Sequence, residues 1–127
     1  MSDGPIREAV VLPELDHPQP IPVAVWVGDV LFSSPIGPRR DDGTIPESLD
    51  EQFDVTFENL GRVLDAAGAA REAVGMVHVH LADRSAREHL NKRWVAFFPD
   101  EPRPARMVSE SRLPETAQVL LTVTAVR

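Results

Sequence analysis

The chain has 127 residues, 43% of them hydrophobic and 26% charged, with a formal net charge of −7 and no cysteine. That length and composition suit one globular domain (1–127) with a real core, and exclude a disordered chain. The acidic balance argues against a nucleic-acid partner, and the missing thiols exclude disulfides, thiolate zinc sites and a cysteine nucleophile.

The N-terminus, MSDGPIREAVVLPEL, lacks the cationic-then-apolar pattern of a signal segment, and no apolar run approaches the ~20 residues that span a bilayer. A soluble, cytoplasmic protein with no membrane contact is the expectation. Residues 6–12, IREAVVL, read as a first strand. PELDHPQPIP carries four prolines in ten residues and reads as an extended loop. VAVWVGDVLFSS reads as a hairpin turning at Gly28-Asp29, and PIGPRRDDGTIP as a second loop, its RRDDG part a turn with solvated charges.

The clearest helix follows. Ser48 and Glu51 form a capping box, and Leu49, Phe53, Phe57, Leu60, Leu64 and Ala67 recur at helical spacing before Gly68. VGMVHVHLA, 74–82, alternates as a strand, with Val77, Val79 and Leu81 on one face and Met76, His78 and His80 on the other. A second helix is expected from a Ser85/Glu88 capping box, through the stripe Ala86, Leu90, Trp94 and Phe97, to a stop at Pro99. Strands near 105–111 and 118–126 complete the chain, the last, QVLLTVTAV, rich in β-branched residues.

The order is β-β-β-α-β-α-β-β, an α+β arrangement with two helices packed on one face of a single mixed sheet. Both faces of the last strand are apolar or neutral, which favours burial on both sides and hence an oligomer.

Five segments in register carry a resemblance: VGDVLFSSPIGP, EQFDVTFENLGRVLDAAGA, VHVHLAD, LNKRWVAFFP and RPARMV. Over residues 21–127 the chain resembles the Rid proteins, the reactive intermediate deaminases also called YjgF-type or L-PSP proteins. The resemblance implies a chorismate-mutase-like fold and a homotrimer with pockets between subunits. It implies hydrolysis of small 2-imino acids to 2-keto acids and ammonia, with no metal and no organic cofactor. Arg106, in the PAR motif, is implied to grip the substrate carboxylate, since a planar guanidinium matches two carboxylate oxygens. Ser34 and Asn91 are implied at the reacting end of the pocket, and Val108 and Thr124 in its lining.

Departures from the family pattern bear on the chemistry. A glutamate that family deaminases carry late in the last strand is matched here by Thr124, which cannot act as a general base. The chain has no tyrosine for the pocket entrance, and Ile21 or a neighbour takes its place. Glu110 and His17 are candidate substitutes for the missing acid. A binding or sensing protein that keeps the carboxylate grip without hydrolysis is one alternative, and a member processing a related, pathway-specific imine is another. The endoribonuclease label attached to some family members fits poorly with the acidic balance. His78 and His80 share a strand face as metal ligands do, but histidines at a subunit contact, sensitive to pH, are the commoner case. His89 reads as a solvated helix residue.

Overall fold

A computed structural model describes residues 6–16 and 18–127. Six strands form one mixed sheet: β1 (Arg7–Val10), β2 (Ala24–Val27), β3 (Val30–Ser33), β4 (Val74–Leu81), β5 (Ala105–Glu110) and β6 (Val119–Val126). Their spatial order is β1-β2-β3-β6-β4-β5. β4 and β5 run parallel, because the second helix carries the chain back between them, and the other neighbours are antiparallel. The first strand is shorter than its apolar run, ending at Val10 where pairing with Ala24 ends and Leu12-Pro13 leaves the sheet.

Helix α1 (Leu49–Ala67) begins at the Ser48 cap, whose hydroxyl accepts from the Glu51 amide at 3.3 Å. It ends at Gly68, where φ is +72° and the glycine amide closes the last turn on Leu64 and Asp65. Helix α2 (Arg87–Phe97) corrects the expected cap. The Asp83 carboxylate accepts from the Ser85 amide and caps a single 3-10 turn, Arg84–Ala86, and no side chain caps α2 itself. The expected stripe holds: Ala86, Leu90, Trp94 and Phe97 are all buried.

Both helices cover one sheet face. Leu31, Val77, Val79, Leu81, Val119, Leu121, Val123 and Ala125 meet Phe53, Leu60, Val63, Leu64 and Leu90 there, most with no accessible surface at all. Two polar α1 side chains are buried beside this core, each tying down a loop. Gln52 Nε2 donates to the carbonyls of Pro46 (2.9 Å) and Thr116 (3.0 Å), and Asn59 Nδ2 donates to those of Gly37 and Arg39, both at 2.9 Å. The charged loop at 39–43 is exposed, as expected, and is also held by surface ion pairs: Arg40 with Glu51, Asp41 with Arg62, and Arg39 with Glu115.

No helix covers the other sheet face. It presents Phe32, Met76, Met107 and Val126, between 39% and 55% exposed, around half-buried Leu120, Thr122, Thr124, His78 and His80. No helix among the described residues is long and apolar enough to cross a membrane.

Candidate functional site

Arg106 lies on β5, the edge strand that pairs in parallel with β4. Its register partner is Val77, whose side chain enters the core, so Arg106 points to the helical side of the sheet. There the α2 residue Trp94 meets it, with the guanidinium carbon 5.0 Å from the ring centroid. An aromatic face attracts a cation and gives the flat guanidinium a shelf. Arg106 is half-buried and has no carboxylate partner among the described residues. Burial, and after it the charge of Arg87, hold its pKa below the ordinary arginine value. A desolvated cation without an anion is the electrostatic signature of an anion site.

Val108, two residues along β5, shares that face and packs on the core edge opposite Val79. Asn91 stands one turn before Trp94 on α2, exposed and with no hydrogen-bond partner among the described residues. One edge of the protomer therefore gathers Arg106, Val108, Trp94 and Asn91.

Ser34 and Thr124 lie elsewhere in the protomer. Ser34 follows β3, three inter-strand steps from β5, or roughly 14 Å at ordinary strand spacing. Its hydroxyl donates to the Pro22 carbonyl at 2.7 Å, and its amide donates to the Val23 carbonyl at 2.9 Å. Thr124 pairs with Phe32 and Met76 on the open sheet face, opposite to the one bearing Arg106. On β6, Leu121 bridges Ile36, and Leu120 Cδ2 would stand 2.6 Å from a Cβ built on Gly37. Two open surface grooves on the protomer, one beside Glu110–Gln118 and one between α1 and α2, both exclude Arg106.

His78 and His80 stack with ring centroids 4.0 Å apart, and Ser109 lies 3.0 Å from His78 Nε2. Rings stacked face to face do not aim their nitrogens at a common ion, and no group of three metal-binding side chains occurs among the described residues. His17, a candidate in both the metal and the base reading, lies outside the described residues. Glu110 accepts the Arg84 amide at 3.0 Å at the exposed end of β5. His89 is partly exposed and also has partners: Nδ1 is 2.7 Å from the Asp50 carboxylate and the ring stacks on Phe53. Sequence reasoning passed over Arg87, the first residue of α2, whose charge acts on the Arg106 guanidinium.

A six-stranded mixed sheet in this order, two helices on one face and an arginine at its parallel edge define a known class of small α+β protein. The sequence matches the family described as Endoribonuclease L-PSP over residues 19–127, and the chain belongs to that family, the Rid proteins. It is 34% identical over 110 residues to a RutC family protein of Saccharolobus solfataricus, covering 84% of this chain and 86% of that one. It is 32% identical to the mitochondrial protein mmf2 of Schizosaccharomyces pombe, over 90% of this chain and 87% of that one. A chloroplastic Reactive Intermediate Deaminase A of Arabidopsis thaliana is 29% identical, over 71% of this chain and 49% of that one. Among solved structures, a Rid family protein of unknown function from Yersinia pestis superposes with a TM-score of 0.90 at 21% identity, over 95% of this chain and 99% of that one. TdcF of E. coli, solved with bound serine, superposes at 0.86 and 22% identity, over 95% and 98%. At those identities the structures show the fold.

Proposed function

We propose that this chain, folded as a single domain over 1–127, is an imine hydrolase acting on small 2-imino acids, with Arg106 as the carboxylate-binding residue. The observation that carries the reading is the Arg106 guanidinium itself: half-buried, shelved on Trp94 and without a carboxylate of its own. In the reaction a water oxygen adds to the imine carbon, the C–N bond breaks, and the 2-keto acid and ammonia leave. Arg106 fixes the carboxylate end, with Val108 as the apolar wall beside it and Asn91 as an amide within reach of the imine end. Such positioning accelerates attack on an already labile bond. Neither a metal nor an organic cofactor is needed for that chemistry.

Ser34, roughly 14 Å from Arg106 in the same protomer, cannot share a small ligand with it there. The reading therefore includes a homotrimer, formed through the open sheet face, in which the Ser34 turn of one chain meets the Arg106 edge of the next. Thr124, on the open face, then lies at the contact between chains rather than beside Arg106. A cytoplasmic location belongs to the same reading; the fission-yeast relative is a mitochondrial protein. An RNA substrate is disfavoured by the net charge of −7 and by the pairing of Arg39, Arg40, Arg62, Arg93, Arg103 and Arg127 with carboxylates.

A binding protein that senses a 2-keto acid without hydrolysing an imine is the second reading. The apolar Leu120 beside the Ser34–Gly37 turn and the face occupied by Thr124 favour it, because neither supplies a base for water. Titration with pyruvate and 2-oxobutanoate tests the shared part of both. Arg106→Lys keeps the charge but not the two parallel N–H donors, and is expected to weaken binding by about tenfold or more at unchanged melting temperature. Undiminished binding would sink the carboxylate grip. Decay of 2-iminopropanoate, generated in place by an amino-acid oxidase, then separates the two readings: acceleration at catalytic protein concentration supports the hydrolase, and binding without acceleration supports the sensor.

A further inference from the structure

Arg106 is not alone on its edge. Arg87, Asn91 and Trp94 occur at i, i+4 and i+7 along α2, so they line one face of that helix, and Arg106 rests on the last of them. Two other arginines of this helix and the loop after it are neutralised. Arg93 binds Asp54 at 2.9 Å and Asp50 at 3.3 Å, and Arg103 lies 3.4 Å from Glu101. Arg87 and Arg106 have no such partner among the described residues, although the chain carries 20 carboxylates against 13 basic residues. Two neighbouring guanidiniums repel, and the repulsion is relieved when an anion sits between them.

From this juxtaposition we infer that Arg87 is a specificity-determining residue, and that the site takes 2-imino acids bearing a second anionic group at the side-chain end. The inference rests on the carboxylate grip assigned to Arg106. Arg106 holds the carboxylate next to the imine carbon, and the exposed Arg87 meets the charge at the far end of the substrate. Asn91, between the two arginines on the helix face, offers an uncharged donor and acceptor along the chain of the substrate. An alanine-type imine leaves Arg87 unmatched, whereas a dianion matches both cations. A dicarboxylate and a phosphate ester share this chemistry, since guanidinium pairs with either anion. Discrimination of this kind comes from the repulsion left unrelieved with the wrong ligand as much as from the new contact.

The test is calorimetric titration at fixed, moderate ionic strength with pyruvate, 2-oxoglutarate, oxaloacetate and 3-phosphooxypyruvate. The unsubstituted protein is expected to bind at least one of the three acids with a second anionic group about tenfold to a hundredfold tighter than pyruvate. Which dianion wins identifies the second group as carboxylate or phosphate and gives its spacing. Arg87→Gln is expected to bring that ratio close to one by weakening the dianion far more than pyruvate, and Arg87→Lys to restore part of it. In turnover, Arg87→Gln raises KM for the dianionic imine and leaves kcat in place, the signature of binding common to ground and transition states. The inference is overturned if no dianion is preferred, or if the preference survives Arg87→Gln. Arg106→Lys separates the two levels. Loss of pyruvate binding in that variant with no dianion preference in the parent leaves the carboxylate grip standing and removes the role of Arg87. Unchanged binding of every keto acid by Arg106→Lys removes both.

Discussion

Single side chains on the open sheet face set a pH dependence. His80 is half-buried, with Leu120 and Ser109 beside it in the register and His78 stacked against its ring. Burial first, and the His78 ring second, hold the His80 pKa below its ordinary 6.5. The unfolded chain takes up a proton as pH falls through about 6.5 while the folded chain does not, so the stability gap narrows in that window. Once pH is below the folded value, both states are protonated and the loss is complete. Urea midpoints at fixed protein concentration are expected to fall between pH 7.5 and 5.5. His80→Gln should flatten that slope, and a slope unchanged by the substitution would remove His80 from it. The carboxylate effects lie in a separate window. Asp50, Asp42 and Asp83 have lowered pKa values, Asp50 mainly through its hydrogen bond to His89, so what they contribute is lost only as pH falls below about 4.

At the scale of elements, α1 both covers the sheet and positions the loops at one end of it. Asn59 holds the carbonyls of Gly37 and Arg39, and Gln52 those of Pro46 and Thr116 while accepting the Gln118 amide at 2.7 Å. Removing such a donor leaves part-buried carbonyls without a partner, at about 1–3 kcal/mol. Asn59→Ala is thus expected to lower stability by that amount in a urea melt and to loosen the turn that carries Ser34, weakening 2-keto acid binding as well. A stability loss with unchanged ligand binding would show that the 34–37 turn takes no part in the pocket. These two residues also mark where the sequence stopped being legible. Phe53, Phe57, Leu60 and Leu64 announce the helix through their spacing, because burial of a stripe is a local pattern. Asn59 and Gln52 sit beside that stripe looking like surface amides, and their partners are 6 to 66 residues away. The start of α2 was misread for a related reason. Asp83 and Ser85 are both competent caps, and only the backbone path chooses between them. Arg106 was legible because a short motif carries it, whereas Arg87 looked like any exposed arginine at a helix start. What recommends it for the proposed role is the approach of Arg106 on β5 to Trp94 on α2, a contact between residues distant in sequence.

For the whole molecule, the proposed trimer makes the open sheet face decide whether the site is complete. Phe32, Met76, Met107 and Val126 are exposed apolar side chains on that face. Met107→Glu places a charge on that face at its β5 edge, beside His78 in the register, and is expected to yield a monomer by sedimentation with the helix and sheet signals of circular dichroism retained. A parent protein that itself sediments as a monomer would defeat the trimer outright. Complementation carries the argument to the pocket. Arg106→Lys and Ser34→Leu are each expected to be inactive alone, one through the grip and one through the turn. Co-expressed, they form mixed rings. If a pocket takes Arg106 from one chain and the Ser34 turn from the next, a Ser34→Leu chain followed by an Arg106→Lys chain rebuilds an unaltered pocket. Random assembly places that arrangement at about a quarter of the contacts in a cyclic trimer, so about a quarter of the parent's binding capacity should return. If both residues served a pocket within one chain, every pocket would carry a substitution and nothing would return.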